Sequence, residues 1–237
     1  MSSRKFELGP KDIVFLVMGP TGAGKSTFIN IAFGEDVAEV GHTTTSCTKK
    51  PLPIIVDPIP DCPKLEGYRL VLLDTPGFDD TYAQDEEHSK RIAEWLSASR
   101  RGGALVGGVL HLHDITAKKC NDTAHRNLPR SSTSTWCNDL KKTLIVTTNW
   151  PSCSDAFLEK REQEMKEEHW KTLIDNGLQV WRFQGNYSSA WRVINSLIHR
   201  INVSAPSPSS TRRTEINLGP KDIIFPIIGP TGAGKIH

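Results

Sequence analysis

Gly19-Pro20-Thr21-Gly22-Ala23-Gly24-Lys25-Ser26 is the stretch whose residue types and spacing specify a chemistry outright. It matches G-x-x-x-x-G-K-[ST], the phosphate-binding loop. Glycines let the backbone curl so that successive N–H groups point inward at phosphate oxygens, and the helix that follows through Thr27 adds its positive N-terminal end. Lys25 is placed to reach the β- and γ-phosphates of a nucleotide, and the Ser26 hydroxyl to ligate Mg²⁺.

Such a loop needs a carboxylate for the metal shell and a group that senses the γ-phosphate. Asp74-Thr75-Pro76-Gly77 supplies both: Asp74 is expected to hold Mg²⁺ through water and the Gly77 amide to meet the γ-phosphate. The threonine-rich stretch between the two motifs is the source of a further ligand, with Thr48 the first candidate and Thr45 the second; plain loop polarity is the competing account of both.

These groups are useful only if strands and helices hold them. Ile13 to Met18 is an apolar run of buried-strand type directly before the loop, and Thr27 to Phe33 continues as a helix that Gly34 ends. Glu35 to Lys50 is polar and without period, an exposed loop. Prolines bracket Ile54-Ile55-Val56, so that strand is short and near an edge. Tyr68 to Leu73 is a second buried strand, and it delivers Asp74 at its end. Asp85 to Arg101 has helical spacing. Ala104 to His113 is a third core strand, in which Gly107 and Gly108 either weaken pairing or admit another backbone. Thr116 to Asn138 is expected to hold one short helix in a loop. Thr143 to Thr148 is a fourth strand, Pro151 to Ser154 opens a helix running to about Asn176, and the charges from Glu159 to Glu168 read as its solvated face. A strand at Val180 to Phe183 and a helix at Ala190 to Ile201, burying Trp191, Ile194, Leu197 and Ile198, complete the order. Alternating strands and helices predict an α/β fold of three layers: a mostly parallel central sheet with helices on both faces.

At 237 residues the chain has room for one such domain. A net charge of +2 gives no electrostatic argument for nucleic acid as a partner. Five cysteines without a C-x-x-C pair suit reduced thiols in a cytoplasmic setting. His111, His113, His125, Cys120 and Cys137 have spacings that fit no common zinc site. Nothing in the sequence has the length of a transmembrane segment.

Gly19 to Ser26, Ser46-Cys47-Thr48-Lys49 and Asp74 to Phe78 together resemble the septin-like branch of translation-factor-related GTPases, the AIG-type immunity-associated GTPases in particular. Gly41-His42, Asp74 to Thr81, Leu112-His113 and Thr147-Thr148-Asn149-Trp150 resemble fungal G domain-containing proteins more closely still. The resemblance covers residues 6 to 200 and implies a P-loop G domain that binds GTP and GDP with Mg²⁺. It also implies that Thr48 is the switch threonine sensing Mg²⁺ and the γ-phosphate, and that Ser189-Ala190 touches the base.

Two departures qualify that pattern. Guanine is read by the Asp of [NT]-K-x-D, which accepts from N1–H and the exocyclic amine together. The corresponding residues are Thr147-Thr148-Asn149-Trp150, with Trp150 at the Asp position. Asn149, with Thr148 before it, is then the candidate for base contact, and Trp150 is either a packing face for the base or an ordinary tryptophan. In addition, Phe78 stands where many GTPases carry a water-orienting glutamine, and Asp79 and Asp80 would repel a γ-phosphate. With Lys25, Thr48 and Gly77 as the remaining catalytic groups, slow GTP hydrolysis is expected, as a switch. The alternative is an assembly module in which bound nucleotide shapes a homodimer and hydrolysis is incidental.

Residues 6–202 are expected to form the G domain and 203–215 a linker. From Asn217 to Lys235 the chain restates Glu7 to Lys25 at a constant offset of 210, with five of nineteen positions changed. This truncated repeat, 216–237, has Ile236 where the first copy has Ser26 and Pro226 where it has Leu16, so no second nucleotide site is expected.

Overall fold

The seven residues Asp12–Met18 (β2) are buried without exception, because this strand sits in the middle of the sheet with a layer of helices on each side. The computed structural model describes residues 6–40, 50–77, 82–117, 139–201 and 214–216. Two further strands pair parallel to β2, Arg69–Asp74 (β4) and Leu105–Asp114 (β5), and outside β5 follow Thr143–Thr148 (β6) and Gln179–Arg182 (β7), also parallel. Leu52–Val56 (β3) closes the other edge antiparallel to β4, so the six-stranded order is β3-β4-β2-β5-β6-β7. The three-layer reading therefore holds, with Pro53 on the edge strand as proline requires.

Alternate residues of β2 build two cores. Val14, Leu16 and Met18 face helix Tyr82–Arg101 (α2), which buries Ile92, Trp95 and Leu96, and helix Ala156–Glu164 (α3), which contributes Leu158. Ile13, Phe15 and Val17 face helices Lys25–Phe33 (α1) and Tyr187–Ile198 (α5). There Phe28 meets Phe183 edge-on, ring centroids 5.0 Å apart, and Trp191 Nε1 donates to the Ala32 carbonyl at 2.9 Å. Both alternatives for Gly107 and Gly108 are realised, one at each: pairing with β2 skips Gly107, and a Cβ on Gly108 would lie 2.6 Å from the Lys142 carbonyl oxygen.

The helix expected from Pro151 to Asn176 is a correction. Asp155, not Ser152 or Ser154, caps the start, its carboxylate accepting from the amides of Phe157 and Leu158. α3 then passes into a π-helical turn, Met165–His169, before a short helix Lys171–Asp175 (α4). Trp170 N donates to Met165 O at 2.8 Å, so the wide turn brings these two side chains, five residues apart, into the same core. A second correction concerns the charges of this segment. Glu162 is only 2% exposed and is held by Arg182, Lys166 and Thr147 rather than by water.

Apart from the main sheet, Phe6–Leu8 (β1) pairs antiparallel with Thr214–Ile216 (β8), and β8 lies against α2. Residues 217–237 of the repeat and most of the Thr116 to Asn138 stretch lie outside the described residues.

Candidate functional site

The phosphate-binding loop runs from the C-terminal end of β2 into α1, over the edge of the sheet. Gly19, Gly22 and Gly24 have φ of 142°, 81° and 83°, which bends the chain around an open centre. Gly24 caps α1 without any side-chain hydrogen bond, and the helix has no acidic residue of its own in the first turn. Lys25 is almost fully buried and its ammonium donates to the carbonyls of Gly19 and Pro20 at 2.9 and 2.8 Å. The lysine thus crosses the loop that it belongs to. Pro20, Thr21 and Ala23 complete the turn, with Ala23 N donating to Pro20 O at 3.2 Å, and Thr27 is exposed on the helix behind.

Asp74 arrives at the end of β4, beside β2, and its Oδ2 accepts from the Ser26 hydroxyl at 3.0 Å. A hydroxyl and a carboxylate brought together at the helix start make an all-oxygen donor set of the kind that suits Mg²⁺. Thr75 Oγ1 donates to Val17 O at 2.8 Å and so ties the segment after β4 to the central strand. Gly77 then packs against the loop itself: a Cβ there would lie 2.0 Å from Thr21 Oγ1 and 2.7 Å from Thr21 N. Only glycine permits this approach. The sequence motifs at 19–26 and 74–77 therefore meet in space.

From the far side β6 contributes Thr148, whose hydroxyl lies 2.9 Å from Ala23 O and 3.2 Å from His113 O. Thr147, one residue earlier, points to the opposite face and donates to Glu162. Asn149 follows in the left-handed region, φ 59°, and is exposed. Trp150 does not present a free face. Its Nε1 donates to Thr147 Oγ1 at 3.0 Å, the Arg182 guanidinium lies 4.2 Å above its ring, and it packs on the α2/α3 core. Of the two readings of this residue, ordinary packing is the one realised.

The Glu162 carboxylate organises that corner. Burial works against its charge, but hydrogen bonds from Arg182 and Lys166, and a third from Thr147, outweigh burial and hold it below the usual range. Arg182 is raised in return, first by its bond to Glu162. Sequence reasoning missed this group; the available signal was its phase, since Leu158, Glu162 and Met165 share one buried helix face.

Ser189 and Ala190 lie at the start of α5, below the surface. Both are fully buried in the first turn of α5, and Ser189 is spent on a capping box: its hydroxyl lies 2.8 Å from Asn186 O, and its amide donates to Asn186 Oδ1 at 2.9 Å. The exposed residues beside them are Gln184, Gly185 and Asn186 in the loop before the helix, with Tyr187 and Ser188 at its start. Thr48, Thr45, Phe78, Asp79 and Asp80 lie outside the described residues. Among the described residues there is no cluster of His, Cys, Asp and Glu able to hold a metal by itself, and no helix is long and apolar enough to cross a membrane.

A family model described as 50S ribosome-binding GTPase matches residues 14–150, from β2 through β6 to Trp150. GTP-binding protein A of Dictyostelium discoideum is 27% identical over 164 residues, 66% of this chain and 33% of that protein, so the chain spans a third of its relative's length. Among solved structures, Toc33 from Arabidopsis thaliana in complex with GDP and Mg²⁺ superimposes with a TM-score of 0.59 at 15% identity, over 87% of this chain and 88% of that one. Era from Aquifex aeolicus bound to GDP and AlF4⁻ gives 0.55 at 15% identity, over 89% and 62%. The matched segment is more than half of the chain and holds both phosphate-site motifs where the sheet brings them together: the chain belongs to the 50S ribosome-binding GTPase family, as a P-loop G domain.

Proposed function

We propose that the domain binds GTP and GDP with Mg²⁺, hydrolyses GTP slowly, and acts as a switch. The observation that carries this is the Ser26–Asp74 hydrogen bond at the uncapped start of α1. It joins the hydroxyl and the carboxylate that a nucleotide-bound Mg²⁺ requires, beside amides and a lysine suited to phosphate. Lys25 exchanges its two loop carbonyls for phosphate oxygens, Ser26 and Asp74 orient around the metal, and the Gly77 amide meets the γ-phosphate. Bound Mg²⁺ would neutralise charge on the β- and γ-phosphates. Thr48 remains our candidate for the switch threonine. The resemblance to septin-like and AIG-type GTPases is the finer placement we favour within the family.

The base site follows from Thr148. Its hydroxyl on the Ala23 carbonyl makes Thr148, rather than Thr147, the first residue of the [NT]-K-x-D register, which moves the Asp position from Trp150 to Pro151. Proline offers no acceptor side chain. Base contact is then left to Asn149 and to the loop Gln184–Asn186, which takes over from Ser189 and Ala190. Discrimination against adenine is accordingly weaker than a carboxylate would give. Binding of fluorescent GDP and ADP tests the assignment, with GDP expected to bind more tightly and to depend on Mg²⁺; equal affinities overturn it. A monomer turning over faster than about 1 per minute, independent of protein concentration, contradicts slow hydrolysis without a water-orienting glutamine.

The second reading, a nucleotide-dependent assembly module, draws support for its dimer, though not for incidental hydrolysis, from Toc33 and Toc159, for which dimerisation is described as important for GTPase activity. Light scattering of GDP-bound and GTP-analogue-bound protein separates the two, because only assembly requires a nucleotide-dependent oligomer. A net charge of +2 gives no electrostatic argument for nucleic acid, which we leave out as a partner, and we place the protein in the cytoplasm.

A further inference from the structure

β6 and β7 end side by side, with Thr147 opposite Arg182, and each strand runs into one of the two loops assigned to the base. A backbone bond extends the pairing by one residue, Phe183 N donating to Thr147 O at 2.9 Å. On the face turned toward α3 the side chains of Thr147 and Arg182 share one carboxylate. Glu162 Oε1 accepts from the Thr147 hydroxyl at 3.0 Å, and Oε2 accepts from Nε and a terminal nitrogen of Arg182 at 2.9 and 2.8 Å. Trp150 completes the figure. Its Nε1 donates to the same Thr147 oxygen at 3.0 Å, and the Arg182 guanidinium lies 4.2 Å from the centre of its ring.

Thr147, Glu162, Arg182 and Trp150 thus form a closed ring of contacts behind the loop, and Asn149 stands in front of it. Asn149 is exposed with φ 59°, a left-handed conformation that asparagine tolerates but that its surroundings must enforce. Both of its neighbours are fixed: the Thr148 hydroxyl lies 2.9 Å from Ala23 O, and Trp150 belongs to the ring. The result is an amide held over the start of α1, where a Cβ on Gly24 would lie 4.0 Å from Asn149 Oδ1. A polar side chain kept in an unusual backbone conformation beside a phosphate loop points to a ligand contact.

We propose that Trp150 and Arg182 are positioning residues for the base site: anchored together on Glu162, they hold Asn149 beside the phosphate loop and set the loop Gln184–Asn186 at a fixed place next to it. This rests on the guanine-nucleotide reading and names the residues that give it its geometry. Both side chains act through the two loops rather than on the base itself. A carboxylate at the position of Pro151 would bring its own paired hydrogen bonds to guanine; without one, selectivity depends on how firmly the remaining contacts are preset. Arginine suits the task better than lysine, because only a planar fork grips Glu162 and stacks on Trp150 at once.

The test compares GDP with inorganic pyrophosphate, each with Mg²⁺, as ligands of the full-length chain in titration calorimetry. Pyrophosphate reads the phosphate loop alone, and the ratio of the two affinities reads the base site. Arg182→Lys keeps a charge beside Glu162 but loses the fork and the stack; Trp150→Phe keeps a ring but loses the bond to Thr147. Each is expected to lower GDP affinity about tenfold, the ordering cost of one or two loop side chains, with pyrophosphate affinity unchanged. Thr147→Val breaks the same link as Trp150→Phe, so the two combined should cost no more than the larger single effect. A role in stability alone would lower the melting temperature and leave the ratio at its parent value; that result in both single variants overturns the proposal, as does an equal loss for GDP and pyrophosphate. The two readings fail separately. A parent chain that binds GDP and ADP equally refutes guanine selectivity before any variant is made and takes the positioning role with it, whereas a parent that prefers GDP, with variants of unchanged ratio, refutes the positioning role alone.

Discussion

Two histidines on β5 should make the fold acid-labile well above the pH at which carboxylates fail. His111 and His113 are 1% and 4% exposed, on the face of the sheet that packs against α2 and α3. His113 meets the Trp170 ring edge-on at 5.3 Å, and neither His111 Nδ1 nor His113 Nε2 has a hydrogen-bond partner among the described residues. Burial, reinforced by His113 and Lys25, lowers His111 to about 3. Burial is also the main cause at His113, where Asp114 opposes it and Arg161 and His169 assist, leaving it at about 4.

Both imidazoles are therefore neutral in the folded protein, while in the unfolded chain they take up protons near pH 6.5. Above that pH the two states bind equal numbers of protons and stability is at its full value. As pH falls from 6.5 toward 4 the unfolded state binds up to two more, and stability drops by up to about 2.7 kcal/mol per pH unit. At pH 5 each group has cost about 2 kcal/mol, roughly 4 together, a large part of the 5–15 kcal/mol that a domain commonly has. Urea unfolding at pH 7.5, 6 and 5 measures the slope, and His111→Leu with His113→Leu should flatten it. Imidazole NMR signals of the folded protein titrating near pH 6.5, or a double variant with the same pH slope as the parent, would refute the argument.

Three further outcomes follow from the site. Ser26→Ala should leave the melting temperature nearly unchanged and abolish the Mg²⁺ dependence of nucleotide binding, read by titrating fluorescent GDP with and without a chelator. Gly77→Ala places a methyl 2.0 Å from Thr21 Oγ1 and must part the two loops, so GTP hydrolysis and the affinity for GTP analogues should fall while circular dichroism stays native. Glu162→Ala strips Arg182, Lys166 and Thr147 of a shared acceptor; from the cost of breaking a buried charge pair we expect a loss of about 3 kcal/mol in urea unfolding.

The motifs and the fold class were legible because both rest on local pattern. Glycine spacing dictates where the backbone must turn, and seven consecutive buried residues beside that turn allow little but a central strand. Trp150 and Glu162 were not legible in the same way. In the chain they are separate residues of a loop and a charged helix; in the fold Arg182, twenty positions beyond Glu162, lies against both. The capping role of Ser189 was hidden for a related reason, since a short polar pair reads alike at the mouth of a site and at a buried helix cap.

By itself, then, the sequence determined the phosphate site: its loop, its lysine, its hydroxyl and its carboxylate are all set by short-range spacing and by the strands that carry them. Only the tertiary structure decided the base corner and the pairing of the N-terminal strand. Which threonine of β6 faces the loop depends on strand alternation within a register that spacing alone leaves open by one residue. And that Thr214–Ile216 returns to pair with Phe6–Leu8 is a contact across more than two hundred positions, which no local rule could contain.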